Sequence, residues 1–227
     1  MEHNEYNMYL SKEERMRAVL PFVPEAVVVG NGDFPSHPFP LAVLDASPCV
    51  VCCDGGADAL VDSGRVPGWI VGDGDSLSET NRVRFHDRIH RISEQETNDQ
   101  TKAVIFLAAK GIRRMVLVGA TGKREDHTLG NISLLMEYQQ MGLEVAMLTD
   151  YGAFVPAADT EKFAGFPRQQ VSVFNVDAVQ LRSEGLRYPL YDFQSWWQGT
   201  LNEVTGDSFR IMAKGHYLVY RTYEAKE

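Results

Sequence analysis

Three features of the 227-residue chain predict an α/β fold, a mostly parallel sheet with flanking helices followed by a small all-β unit. Short apolar or β-branched runs recur at 26–29, 49–53, 69–71, 115–118 and 145–148, the length of buried strands. Glycine-rich or acidic loops close most of them and helical patterns lie between, the alternation of a sheet with helical crossovers. Beyond Thr149 the runs alternate or are aromatic, and Gly185, Pro189, Gly199, Gly206 and Gly215 punctuate them as in an all-β unit. Domains are therefore drawn at 1–155 and 156–227.

Composition narrows the function classes. A net charge of −9 argues against a surface that coats nucleic acid. No apolar run approaches the roughly 20 residues that span a bilayer, and residues 1–17 are polar and mixed in charge, unlike a secretory signal. Cys49, Cys52 and Cys53 cluster in one run, too few for a disulfide framework, and read as small buried hydrophobes of a reducing, cytoplasmic compartment.

In chain order, the strand at 26–29 delivers Gly30-Asn31-Gly32-Asp33, a glycine loop or a simple turn. Residues 35–40 are too proline-rich for a helix or central strand. The run 49–53 leads to Asp54-Gly55-Gly56-Ala57, and a helix from there ends at Gly64. After 69–71 comes Gly72-Asp73-Gly74-Asp75-Ser76. Glycine lets this backbone turn sharply, and the two carboxylates repel unless solvated or bridged by a cation. Oxygen-only ligands suit magnesium; the plain alternative is a turn.

Segment 81–91 is mixed in charge, with His86 and His90 at helical spacing on a solvated face. Thr97 and Gln100 match a capping box for a helix that ends at Gly111, and Glu96 and Asp99 crowd its N-terminus. They complement the helix dipole or add a third carboxylate to a metal site. The strand at 115–118 precedes 119–127, where glycines and the N-terminus of a helix over 129–141 suit an anion. Lys123 and Arg124 would hold phosphate, and Asp126-His127 is either a general-base pair or a cap beside a surface His. Strands are expected at 170–175, 209–212 and 217–223, with at least one of Trp196 and Trp197 in the core.

In this order the motifs resemble the thiamine pyrophosphokinase family. The resemblance rests on 54–57, 72–76, Asn98-Asp99 with Lys102-Ala103, 119–131, 185–190 and 199–203. It implies a Rossmann-like α/β domain, then a β-sandwich, in a homodimer with sites at the subunit interface. It also implies transfer of diphosphate from ATP to the hydroxyl of thiamine, giving thiamine diphosphate and AMP. By the same resemblance Asp73, Asp75 and either Asp99 or Glu96 hold magnesium. Asp54 or an acidic-loop carboxylate takes the proton, and Arg124 stabilises phosphate charge. ATP falls to Asn31, Gly32, Gly55, Gly56, Gly119, Thr121, Gly122, Asp126, His127 and Asn131, and thiamine to Asn202 and Tyr220. The family's usual Ser before that Asn is Leu201 here. The alternatives are a magnesium-dependent nucleotide pyrophosphohydrolase and a non-catalytic sensor of thiamine diphosphate or nucleotide.

Overall fold

The computed structural model describes Glu14 and residues 18–226; the rest of the polar segment 1–17 lies outside them. It resolves two compact units, Pro24–Asp150 and the residues from Tyr151 onward with the described residues up to Val23.

The first unit carries strands β1 (Ala26–Val29), β2 (Val50–Cys53), β3 (Trp69–Gly72), β4 (Ile89–Arg91), β5 (Arg114–Val118) and β6 (Glu144–Leu148). They pair in parallel in the order β6-β5-β1-β2-β3-β4. Val27, Val28, Cys52, Val71, Val116 and Leu117 are almost wholly buried, as helices on the faces of a parallel sheet require. All three cysteines are free thiols, and burial raises the Cys52 and Cys53 thiols far above their ordinary range. The strand order reverses between β1 and β5, the point where open α/β sheets leave a crevice for ligands at their carboxyl edge.

The crossovers are α1 (Pro38–Ala46), α2 (Gly56–Asp62), α3 (Glu79–Arg84), α4 (Asp99–Ala109) and α5 (Glu125–Gln140). Three of them correct the sequence expectations. Residues 35–40 lead into α1 rather than a loop: Pro38 opens the helix, where its missing N–H is no loss, and His37 Nδ1 caps the Phe39 amide at 3.1 Å. The cap of α4 is Asn98, whose Oδ1 accepts from the Thr101 amide at 2.9 Å, while the Thr97 hydroxyl turns to Glu94. Helix α5 begins at Glu125, four residues before the expected start, with Glu125 and Asp126 complementing its dipole. His86 and His90 share no helical face either. The chain passes from α3 through a 3-10 turn, and His90 lies on β4, its ring 4.7 Å from that of Phe106.

The second unit is two antiparallel sheets. One runs β11 (Asn202–Glu203), β9 (Gln169–Asn175), β13 (His216–Ala225), β7 (Gly152–Ala158); the other runs β10 (Val179–Glu184), β12 (Ser208–Lys214), β8 (Glu161–Ala164). Alternation along β9 and β13 sends Val171, Val173, Tyr217 and Val219 into a core with Phe163, Phe209 and Ile211. Residues of the opposite parity face the other way. There Tyr220 packs on Phe154 at 4.6 Å, Phe154 on Phe174 at 6.2 Å, and Phe174 on Trp196 at 5.9 Å. Neither tryptophan is in the core, contrary to expectation: Trp196 is 57% exposed and Trp197 73%. In the short 3-10 turn that carries them, the Trp196 indole N–H donates to Asn175 O at 3.0 Å.

Arg221 is the largest fully buried side chain of this unit. Its guanidinium donates to Ala18 O (2.9 Å), Val19 O (2.8 Å) and Ala164 O (3.0 Å) and lies over the Phe163 ring. Arg221→Met keeps most of the volume and strands those acceptors. We expect a loss of about 2–4 kcal/mol in denaturant unfolding, and a loss below about 1 kcal/mol would refute this account.

Candidate active site

Four carboxylates come together at the carboxyl edge of β2 and β3. Asp54 follows β2 with φ 34°, a left-handed conformation that Asp tolerates. Asp99 opens α4. The two converge over Gly72, where an added Cβ would stand 3.0 Å from Asp54 Cβ and 3.5 Å from Asp99 Oδ1, so only glycine permits the approach. Asp73 and Asp75 follow directly from Gly72.

Asp54 is 2% exposed. Its Oδ2 accepts from the Ser76 amide at 2.7 Å, and its Oδ1 is buried without a hydrogen-bond partner among the described residues. Burial pushes this carboxyl above the usual range; the Ser76 amide opposes the shift, and the charges of Asp99, Asp73 and Asp75 add to it. Asp73 is held below its usual range, chiefly by the Asp75 amide on its Oδ1 (3.1 Å), with Gln95 Nε2 at 3.4 Å from Oδ2. Lys102, 4% exposed, places Nζ 3.3 Å from Asp99 Oδ1. Glu96 is exposed and its amide bonds Glu94 at 2.8 Å.

Two arginines hold the loop by its carbonyls. Arg82 Nη2 donates to Gly74 O (2.7 Å) and Leu77 O (3.2 Å), and Arg91 Nη1 to Asp73 O (3.2 Å). The sequence reading left both inside a solvated charged segment. Lys102 sits three residues after Asp99 on a helix, a spacing that brings side chains together and could have signalled the pair.

The donor set is all oxygen and heavily negative, which fits a hard cation such as magnesium. Among the described residues no three Asp, Glu, His or Cys side chains are gathered into a ready cage. Asp73 is turned onto the Asp75 amide and Asp99 onto Lys102, so enclosing an ion requires those side chains to rotate.

The glycine loops after β1 and β5 meet across the switch point. Gly32 N donates to Gly119 O at 2.6 Å and Asp33 N to Thr121 O at 2.8 Å. Lys123 Nζ closes the seam on Asn31 O at 2.8 Å. Asn31 also approaches Gly55, and Gly30 approaches Gly56, within distances that leave no room for a Cβ. The amides of Gly32 and Asp33 are thus spent in a backbone zipper between the two loops. Gly122 has φ +81° and lies against the Asp33 carboxylate. Arg124 forms a bidentate pair with Asp126 (Nη2–Oδ2 2.5 Å, Nε–Oδ1 3.1 Å), and the His127 amide also bonds Asp126. Asp126 therefore serves Arg124 and a backbone amide, and among the described residues no hydrogen bond joins its carboxylate to the His127 ring. Asn131 joins the Ala120 carbonyl to the Asn98 side chain.

In the second unit Asn202 is buried and turned inward, its amide bonding both Tyr188 N (3.1 Å) and Tyr188 O (2.7 Å). It shapes that loop. Tyr220 is half-buried on the aromatic face, and Leu201, 74% exposed with φ 60°, is anchored by its amide to Ser172 Oγ at 3.3 Å.

Residues 41–147 match the thiamin pyrophosphokinase catalytic domain, and residues 152–220 match the thiamin pyrophosphokinase substrate-binding domain. The chain belongs to the thiamin pyrophosphokinase family. The four carboxylates fall in the catalytic domain of that family, and Asn202 and Tyr220 in its substrate-binding domain. The thiamine pyrophosphokinase of Bacillus subtilis (strain 168) is 28% identical over 145 residues, 60% of this chain and 68% of that protein. The crystal structure of yeast thiamin pyrophosphokinase shares the fold at TM-score 0.76 and 15% identity, covering 94% of this chain and 90% of the other. That of Candida albicans gives 0.74 at 18% identity, covering 92% of each. Among the described residues no helix is long and apolar enough to cross a membrane.

Proposed function

We propose that this chain is a thiamine diphosphokinase that moves a diphosphate group from ATP to the hydroxyl of thiamine, with magnesium, releasing AMP. The observation that carries the reading is the acidic cluster on the sheet edge, with a buried, unpartnered Asp54 oxygen, in a chain of this family. Asp54, Asp73, Asp75 and either Asp99 or Glu96 would hold the ion. Such an ion, when bound, supplies neutralisation of phosphate charge.

The remaining roles belong to the chain's own side chains. Lys102 offsets the charge of Asp99. Asp75, exposed and with no hydrogen bond to its carboxylate among the described residues, is free to turn toward the ion, and a carboxylate of this cluster takes the proton of the thiamine hydroxyl. Arg124 reaches phosphate by exchanging Asp126 for it. The zippered loops with Asn31, Gly55, Gly56, Thr121, His127 and Asn131 shape the floor for the nucleotide.

For thiamine, the face of Tyr220, Phe154, Phe174 and Trp196 offers aromatic stacking to a cationic ring. Tyr220→Ala should raise KM for thiamine about tenfold while KM for ATP holds, the loss of one stacking contact. Equal changes in both constants would remove Tyr220 from the thiamine site. The reading also includes a homodimer in the cytoplasm, which the relative mass in solution and fractionation test.

The experiment that decides the activity is incubation of the purified chain with ATP, magnesium and thiamine, with separation of the products. Thiamine diphosphate and AMP in equal amounts, both lost with chelator, support it. AMP formed equally without thiamine would identify a pyrophosphohydrolase, and nucleotide binding without AMP a sensor.

A further inference from the structure

Most basic side chains around the acidic loop already have strong partners. Lys102 is buried on Asp99, Arg82 holds two carbonyls and pairs with Glu79 at 3.4 Å, Lys123 holds Asn31, and Arg124 is clasped by Asp126. Arg91 differs. It ends β4 in register with Gly72, the residue from which the acidic loop departs, and the Ile92 amide fixes that register on Gly72 O at 3.0 Å. The side chain is exposed. Its one hydrogen bond among the described residues is the 3.2 Å contact from Nη1 to Asp73 O, which leaves Nε and Nη2 as open donors. The guanidinium lies beside Gly74, with Nη1 3.5 Å and Nη2 3.8 Å from where a Cβ would stand, so it reaches the middle of the acidic loop.

We propose that Arg91 is a diphosphate-binding residue, its guanidinium taking oxygens of the group that the acidic loop positions for transfer. This deepens the reading given under Proposed function and rests on it. The charge balance favours it: beside one divalent ion, the other basic side chains facing four carboxylates and a polyphosphate, Lys102, Arg82, Lys123 and Arg124, are already engaged. A planar fork with two unused donors suits phosphate oxygens. Unlike Arg124, Arg91 has no carboxylate partner among the described residues, so engaging phosphate breaks only a long bond to a carbonyl.

The test is calorimetric titration of the full chain and of Arg91→Met and Arg91→Lys with magnesium diphosphate and, separately, with AMP. Arg91→Met should bind magnesium diphosphate about tenfold to a hundredfold more weakly, the range of a charge-assisted hydrogen bond. AMP affinity should hold within about twofold, and Arg91→Lys should recover part of the loss. Unchanged diphosphate affinity in Arg91→Met overturns the proposal. So does an equal fall for both ligands with a lower melting temperature, which marks a brace for the loop. If the unsubstituted chain takes up magnesium diphosphate and makes no thiamine diphosphate, Arg91 stands and the acceptor assignment fails. If it takes up no magnesium diphosphate at all, both fail.

Discussion

Asp54→Asn is expected to cut turnover by about a hundredfold to a thousandfold while making the metal-free protein more stable. The two effects share one cause. Asp54 Oδ1 is buried without a partner, and three nearby carboxylates add to the cost of charging it. An Asn keeps the shape and can keep the Ser76 contact, yet removes the charge that a cation would answer. The sign of the pH dependence follows. The folded-state pKa lies above the ordinary 3.8, so the folded form favours the protonated acid. Stability from this group is complete below 3.8 and is lost as pH rises through the raised value. Asp54→Asn should flatten that part of the curve, with a gain in melting temperature of about 2–4 °C per kcal/mol in a chain of this size. Thermal unfolding in chelator from pH 4 upward reads it. Asp73 makes the contrast: the Asp75 amide favours its charge, so Asp73→Asn should lose activity without gaining stability. A melting temperature for Asp54→Asn that falls, or turnover near that of the unsubstituted chain, would refute the assignment.

Gly32→Ala should damage nucleotide binding severely for a single added methyl group. Its Cβ would stand 2.2 Å from Thr121 O and 2.7 Å from Gly119 O, both backbone atoms of the facing loop. Relief requires the loops after β1 and β5 to separate, which breaks the Gly32–Gly119 and Asp33–Thr121 bonds. We expect a cost of about 1–3 kcal/mol in stability, as for overpacking elsewhere. With the floor displaced, KM for ATP should rise at least about tenfold. KM for thiamine should change far less. An Ala variant with normal stability and ATP affinity would show that the zipper is not what holds this edge.

Much of the α/β unit was legible because its strands are buried on both faces. Continuous apolar runs such as 26–29 and 115–118 need no neighbour to be recognised, and glycine or acidic loops mark their ends. Helix starts were less legible, since caps depend on which of several polar side chains wins. Thr97 and Asn98 both suit a cap, and Thr97 loses because Glu94 captures its hydroxyl. Proline at 35–40 misled because its effect depends on position: at the first helical turn it is harmless.

By itself the sequence determined that strands would end in glycine and acid along one sheet edge, because alternation and local chemistry are written residue by residue. Only the tertiary structure decided which of those groups meet. Asp54 converges with Asp99 over Gly72, Asn202 turns inward to Tyr188, Asp126 goes to Arg124, and Arg91 keeps open donors beside Gly74. Such outcomes depend on which strands become neighbours and on competition among polar groups far apart in the chain, and local pattern holds neither.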